Sequence, residues 1–318
     1  MFSLSSLPYD VIRYIITFIP IQSLAWSRAL SLQSIKDNGG LETVFFNTDS
    51  SYVKLSFDFL KSLVGERTQS LILRNITKDI FDKLYFLNTP NLKTLQIYSV
   101  DMRKVSSLEP LRGMRPESLP LDSFPNVLSL EPLREMRPKV LNLWCFSKVS
   151  SLEPLRDMRP ESLELRYFPL IESLEPLRNM RPERLCLWDF SKVSSLEPLR
   201  EMRPKNLKLT YFPLVESIEP LRGLCPSRGL CPRNESRTSS ESKVPEDSAR
   251  VKSKREMYPK IIKLSIFPKV KSLEPFLELC SRNESRAPES RQEIQLDFSD
   301  FPLVGDSLKL FKKVFISY

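Results

Sequence analysis

One pentapeptide recurs at a fixed spacing, and that spacing limits what the chain can fold into. Leu-Glu-Pro-Leu-Arg begins at Leu108, Leu130, Leu152, Leu174 and Leu196, every 22 residues. A sixth copy begins at Ile218, and a seventh at Leu273 with Phe276 in place of the second leucine. Leu273 follows Ile218 by 55 residues, one more period of 22 plus an insertion of 33. Each unit has two halves. In Leu163-Glu-Leu-Arg-Tyr-Phe168, Leu163 and Leu165 alternate with polar neighbours, which predicts a short half-buried strand. In the other half, Leu174, Leu177 and Met180 recur every third residue, which predicts one or two turns of 3₁₀ or α-helix. Ser173 can cap that turn and Pro176 is tolerated in it. Arg181 precedes Pro182 and is driven out of the helical region, so the turn stops there. One strand and one turn cannot bury an apolar side alone. Stacked units can: strands align in a parallel sheet and turns pack behind them.

The pattern Leu-x-Leu-x-x-Phe-x-x-Val-x-x-Leu resembles the leucine-rich repeat, and the period lies inside that family's range. It departs where the family carries Asn or Cys. Phe124, Phe146, Phe168, Phe190, Phe212 and Phe267 stand there instead. An apolar stack would replace the usual Asn ladder, and the polar groups that the ladder satisfies must find other partners. Less regular units flank the clean block. Leu71-Ile-Leu73 and Leu95-Gln-Ile97 lie upstream, with Val53-Lys-Leu55 a weaker candidate. Ile294-Gln-Leu296 with Phe301-Pro302 reads as a final, stretched unit. A longer period of 44 pairs 141–162 with 185–206 and 163–184 with 207–228, as paired duplication would produce.

Identical residues in stacked units fall into columns one strand spacing apart, roughly 4.7–4.9 Å. Arg112, Arg134, Arg156, Arg178, Arg200 and Arg222 form one column, and the glutamates three residues earlier should neutralise it. Arg115, Arg137, Arg159, Arg181 and Arg203 lack such a partner column. The expected reading is a solvated convex face, with a phosphate-binding stripe as the rival. Residues 223–255 interrupt the array with a Ser, Glu, Lys and Arg-rich run, expected to be a disordered loop.

Composition removes whole classes of chemistry. The 318 residues include no His, so neither a Ser-His-Asp nor a Cys-His nucleophile is available, nor any His-ligated metal site. Only 7 Gly stand against 26 Pro, and no Gly-rich phosphate loop occurs. The five cysteines form no C-x-x-C pair, which excludes a zinc ribbon and argues for a reducing compartment. Net charge is +9, but the charge is spread along the chain rather than bunched, which disfavours a nucleic-acid partner. Val11 to Ile21 is apolar but too short for a bilayer, and Arg13 interrupts it. A cytoplasmic or nuclear protein without cofactor or metal is expected, and not an enzyme.

The first 40 residues differ. Val11, Ile12, Ile15, Ile16 and Ile19 share one helical face, Pro8 and Asp10 suit a first turn, and Pro20 ends it. Two further short helices can follow before Asp37-Asn-Gly-Gly40. Leu7, Pro8, Asp10, Ile19, Pro20, Leu24 and Arg28 match, without a gap, the pattern of the F-box family, which this segment resembles. Ser23 stands in place of its usual Asp, and Ser34 in place of its closing Trp. The fold class expected is therefore an α/β solenoid: a leucine-rich-repeat array of period 22 with an N-terminal three-helix F-box-like module. Its parts are the module over 1–40, repeats over 41–222, the insertion over 223–255, and repeats with a cap over 256–318.

The resemblance implies a substrate-recognition subunit of an SCF-type cullin–RING ubiquitin ligase. The F-box would bind a Skp-type adaptor through Leu7, Pro8, Val11, Ile12, Ile15, Ile16, Ile19, Pro20 and Leu24, and the adaptor would link it to the cullin. The concave strand face would hold a substrate protein. On a Leu-x-Leu strand the other positions point away from the core. These positions are Asn142, Trp144, Glu164, Arg166, Tyr167, Trp188, Asp189, Lys208 and Tyr211, with Trp144 and Trp188 expected about 10 Å apart around Arg166. Cys186 shares the face as a small filler, with no base to make it a nucleophile. The alternative is a repeat scaffold without a ligase link, in which the helical segment only caps the array.

Overall fold

Alternation of leucine with polar residues produces a strand in each repeat, and leucines meet leucines across the sheet. The computed structural model describes residues 37, 39–48, 56–98, 100–224, 261–265, 267–270 and 293–296. The adaptor-facing residues expected between Leu7 and Leu24 lie outside these, as do Val53–Leu55, Leu273, and all but the first two residues of the insertion. The chain divides into two compact units, Met1–Ile171 and Glu172–Tyr318.

The first unit carries six parallel strands in chain order: β1 (Thr43–Asn47), β2 (Ser70–Arg74), β3 (Thr94–Tyr98), β4 (Ser118–Asp122), β5 (Val140–Trp144) and β6 (Ser162–Arg166). Leu119 pairs with Leu141, and Leu141 with Leu163; all three are buried. The second unit carries β7 (Arg184–Trp188), β8 (Asn206–Thr210), β9 (Ile261–Ser265) and β10 (Glu293–Leu296), again parallel and in order. Asn206 pairs with Ile261 and Leu209 with Leu264. The long insertion therefore leaves the array between two neighbouring strands and costs no register. The expected strands at Leu71–Leu73, Leu95–Ile97 and Ile294–Leu296 are present.

Between strands of the regular repeats, the Glu-Pro-Leu triplet forms a 3₁₀ turn, as at Glu153–Leu155 and Glu175–Leu177. The serine two residues before each Glu accepts a hydrogen bond from the Glu amide, 3.1 Å for both Ser151 and Ser173. That local bond satisfies an orphan donor at the start of the turn. Leu152, Leu155 and Met158 all face the core.

The phenylalanine column is the apolar stack expected from the sequence. Phe124, Phe146 and Phe168 are fully buried, with ring centroids 5.6 Å apart at each step and interplanar angles of 18° and 9°. In the second unit Phe190, Phe212 and Phe267 stack at 5.7 and 5.5 Å. The residue before the Phe adopts a left-handed conformation, φ +60° at Cys145 and +69° at Ser123. Its amide donates to the last strand carbonyl of the next repeat: Ser123 to Trp144 (3.1 Å) and Cys145 to Arg166 (2.9 Å). Asp189 to Thr210 (2.9 Å) and Tyr211 to Ser265 (3.0 Å) repeat the bond in the second unit. A backbone-to-backbone ladder thus does what an Asn side chain does in the resembled family. No side chain encodes this ladder, so the residues alone carry no sign of it.

The amino-terminal repeats are built differently. Helices α1 (Phe57–Leu63) and α2 (Lys78–Asp82), the second followed by a 3₁₀ turn at Leu84–Phe86, appear between strands here and are capped by Ser56 and Thr77, which accept from the amides of Phe59 and Ile80. Phe81 of α2 reaches the phenylalanine column and lies 5.6 Å from Phe124. At the start of the array, the Gly39–Gly40 backbone runs hard against Gly65, and Arg67 donates to the Gly39 carbonyl at 2.9 Å.

Candidate functional site

Strand pleating sends Leu inward and its neighbours outward, so the outer face is read directly from register. In the first unit the last strand residues form one row: Asn47, Arg74, Tyr98, Asp122, Trp144 and Arg166, each the registered partner of the next. Pro120, Asn142 and Glu164 form the row beside it. Asn142, Trp144, Glu164 and Arg166 are half-buried, and Tyr167, at a left-handed position on the rim, is exposed. The four half-buried residues come together as expected. Arg166 forms an ion pair with Glu164, two residues away on the same face, and its guanidinium lies 4.6 Å from the Trp144 ring centroid. Trp144 is therefore partly covered by its neighbour rather than standing free.

Two polar atoms on this face are buried without a hydrogen-bond partner: Asn142 Oδ1 and Trp144 Nε1. Leaving a buried donor or acceptor unmade costs roughly 1–3 kcal/mol.

Sequence reasoning missed the other half of the row. Arg74 lies 5.2 Å from the Phe45 ring and 5.8 Å from the Tyr98 ring. Asp122 sits between Tyr98 and Trp144 in register and accepts from Ser123 Oγ at 3.1 Å. The signal was available: Arg74, Tyr98 and Asp122 occupy the strand position of Trp144 and Arg166. Burial, and then the Asp122 charge, push the Cys145 thiol up, away from the nucleophilic thiolate form.

The second unit presents Trp188, Asp189, Lys208 and Tyr211. Lys208 Nζ lies 5.7 Å from the Trp188 ring, Tyr211 is exposed, and the half-buried Asp189 carboxyl is pushed up by desolvation against a hydrogen bond with Ser191. Cys186 is half-buried and not in a disulfide.

The turn charges are balanced as expected. Arg112 Nε and Nη2 reach the two Glu109 oxygens at 2.6 and 2.7 Å, and Arg156 grips Glu153 at 2.7 and 2.6 Å. Glu109 and Glu153 are held below the usual carboxylate range mainly by those arginine hydrogen bonds. These pairs are exposed and salt-screened, so they neutralise the column more than they stabilise it. In the second arginine column, Arg159 donates to the Met158 carbonyl at 2.9 Å and Arg181 to the Glu201 carbonyl, so both finish turns.

Among the described residues no group of three or more Cys, Asp or Glu could hold a metal ion, and no helix is long and apolar enough to cross a membrane. The fold and its outer face define a class: a solenoid-like repeat protein of parallel strands and 3₁₀ turns, with a polar and aromatic strand face. Comparisons with family models, with curated proteins and with solved structures gave no match.

Proposed function

We propose that the chain is the substrate-recognition subunit of an SCF-type cullin–RING ubiquitin ligase. Residues 1–40 bind a Skp-type adaptor, and the outer strand face holds a substrate protein. The observation that carries the reading is the direct sequence junction of an F-box-like segment with a repeat array whose outer face has interface chemistry. Tryptophan, tyrosine and arginine are the residue types that anchor protein contacts; Trp144 and Arg166 meet on one pair of strands, and the exposed Tyr167 directly follows β6. The mechanism is proximity: the receptor performs no chemistry and raises the local concentration of substrate beside the charged enzyme.

Co-purification with a Skp-type adaptor and cullin tests this. The parent chain is expected to capture both, and Ile19→Asp neither, because a charge on the apolar helical face forfeits an anchor worth about 1.5–3 kcal/mol and adds a desolvation cost. Absence of capture by a folded parent chain contradicts the reading and leaves the repeat scaffold.

A further inference from the structure

The outer row of the first unit is symmetric in chemistry about one carboxylate. Its order is Arg74, Tyr98, Asp122, Trp144, Arg166, one residue per strand. Each arginine stacks on the aromatic ring beside it, Arg74 on Tyr98 and Arg166 on Trp144. Arg166 is also neutralised by Glu164. Asp122 is treated differently. It takes part in no ion pair among the described residues and receives a hydrogen bond from Ser123. The turn glutamates Glu109, Glu131 and Glu153 all have an arginine. So one half-buried carboxylate is left with an aromatic residue on either side, and those two residues lie two strand spacings apart, roughly 10 Å.

We propose that Tyr98, Asp122 and Trp144 form a receptor for a lysine side chain presented by a partner protein. A lysine ammonium is a compact charge on a long apolar stem. The stem would lie between the two rings, the charge would meet the Asp122 carboxylate, and the ring faces turned away from the arginines would attract the cation. Arg74 and Arg166 each lie two strands from Asp122, on the far side of one ring, and so farther from the incoming charge than Asp122 is. Coulomb attraction falls with distance and is screened within about 8 Å at physiological salt, so the near carboxylate outweighs the distant guanidinium groups. An apolar or acidic occupant would leave the Asp122 charge unmatched. Trp144 Nε1 and Asn142 Oδ1, both on the strand next to that of Asp122, are buried without a hydrogen-bond partner and suit the partner's backbone.

This inference rests on the reading of the outer strand face as the binding surface. The full chain carries three tryptophans, Trp26, Trp144 and Trp188. With Trp26→Phe and Trp188→Phe, Trp144 is the only tryptophan reporter. Its fluorescence is titrated with N-acetyl-lysine methylamide and, in parallel, with the norleucine and glutamate analogues. Saturable quenching by the lysine probe, at least about tenfold tighter than by either analogue, is expected. Asp122→Asn should remove that preference, and Asp122→Glu should retain it. Equal response to lysine and norleucine, tighter binding of the glutamate probe, no response at all, or an unchanged preference in Asp122→Asn would overturn the proposal. The urea midpoint of each variant confirms its fold. Adaptor capture by the same preparation separates the two readings: capture without lysine selectivity sinks only the lysine receptor, and lysine selectivity without capture sinks only the ligase link.

Discussion

Phe146→Ala is expected to cost about 3–5 kcal/mol of unfolding free energy, read as a fall in the urea midpoint. Phe146 is fully buried and touches a ring on each side, Phe124 and Phe168, both 5.6 Å away. Truncation removes its own transfer free energy and leaves a cavity between two rings that the flanking backbone ladder holds in place. Two offset-stacked contacts go with it, each worth roughly 0.5–1.5 kcal/mol beyond area burial. Phe146→Asn is the sharper variant. In the resembled repeat family Asn is the ordinary residue here, yet in this chain it should be at least as damaging as Ala. The Cys145 amide already bonds to the Arg166 carbonyl, so a buried amide side chain would find apolar rings around it. An Asn variant as stable as the parent would show that the phenylalanine column and the backbone ladder are not coupled in this way.

Gly65→Ala is the second large effect. A Cβ at Gly65 would lie 2.4 Å from the Gly39 carbonyl oxygen and 2.6 Å from its carbon. Both are backbone atoms, and that segment is pinned by Arg67 donating to Gly39 and Leu41 donating to Leu63. No flexible side chain can move aside, so the strand-entry segment itself must shift, at a cost of about 1–3 kcal/mol or more. Hydrogen exchange should place the loss at β1, with the amides of β4 to β6 protected as in the parent. Uniform loss across the first unit, or no loss, would contradict the tight approach as the cause.

Much of this was legible because the repeat enforces its own register. Leu163 and Leu165 alternate with polar residues, and Pro182 marks where a turn must stop, so strand and turn positions followed from spacing alone. The outward direction of Asn142, Trp144, Glu164 and Arg166 followed from the same alternation. What periodicity does not carry was missed. The ladder that stands in for the Asn side chain is made of amides and carbonyls at left-handed residues as different as Ser123, Cys145 and Asp189, and sequence has no common letter for it. Strand β1 escaped notice because α1 stretches its unit: Phe45 pairs with Ile72, a spacing of 27 rather than 22. The place of Asp122 in the outer row is not marked by the Leu-x-Leu alternation. It becomes visible only when Arg74, Tyr98, Asp122, Trp144 and Arg166 are aligned as one row across five strands.

In the function proposed above, one chain joins a ligase to a protein held on its strand face, so both ends must serve one task. The most direct measurement compares ubiquitin-modified proteins in cells expressing the parent chain, Ile19→Asp and Arg166→Glu at equal abundance. A receptor of this kind should leave the proteins modified only with the parent chain unmodified in both variants, and they should be the same proteins. Arg166→Glu should still capture the adaptor, whereas Ile19→Asp should not. Modification that survives either substitution, or two unrelated sets of affected proteins, would rule out a ligase receptor whose two ends work together.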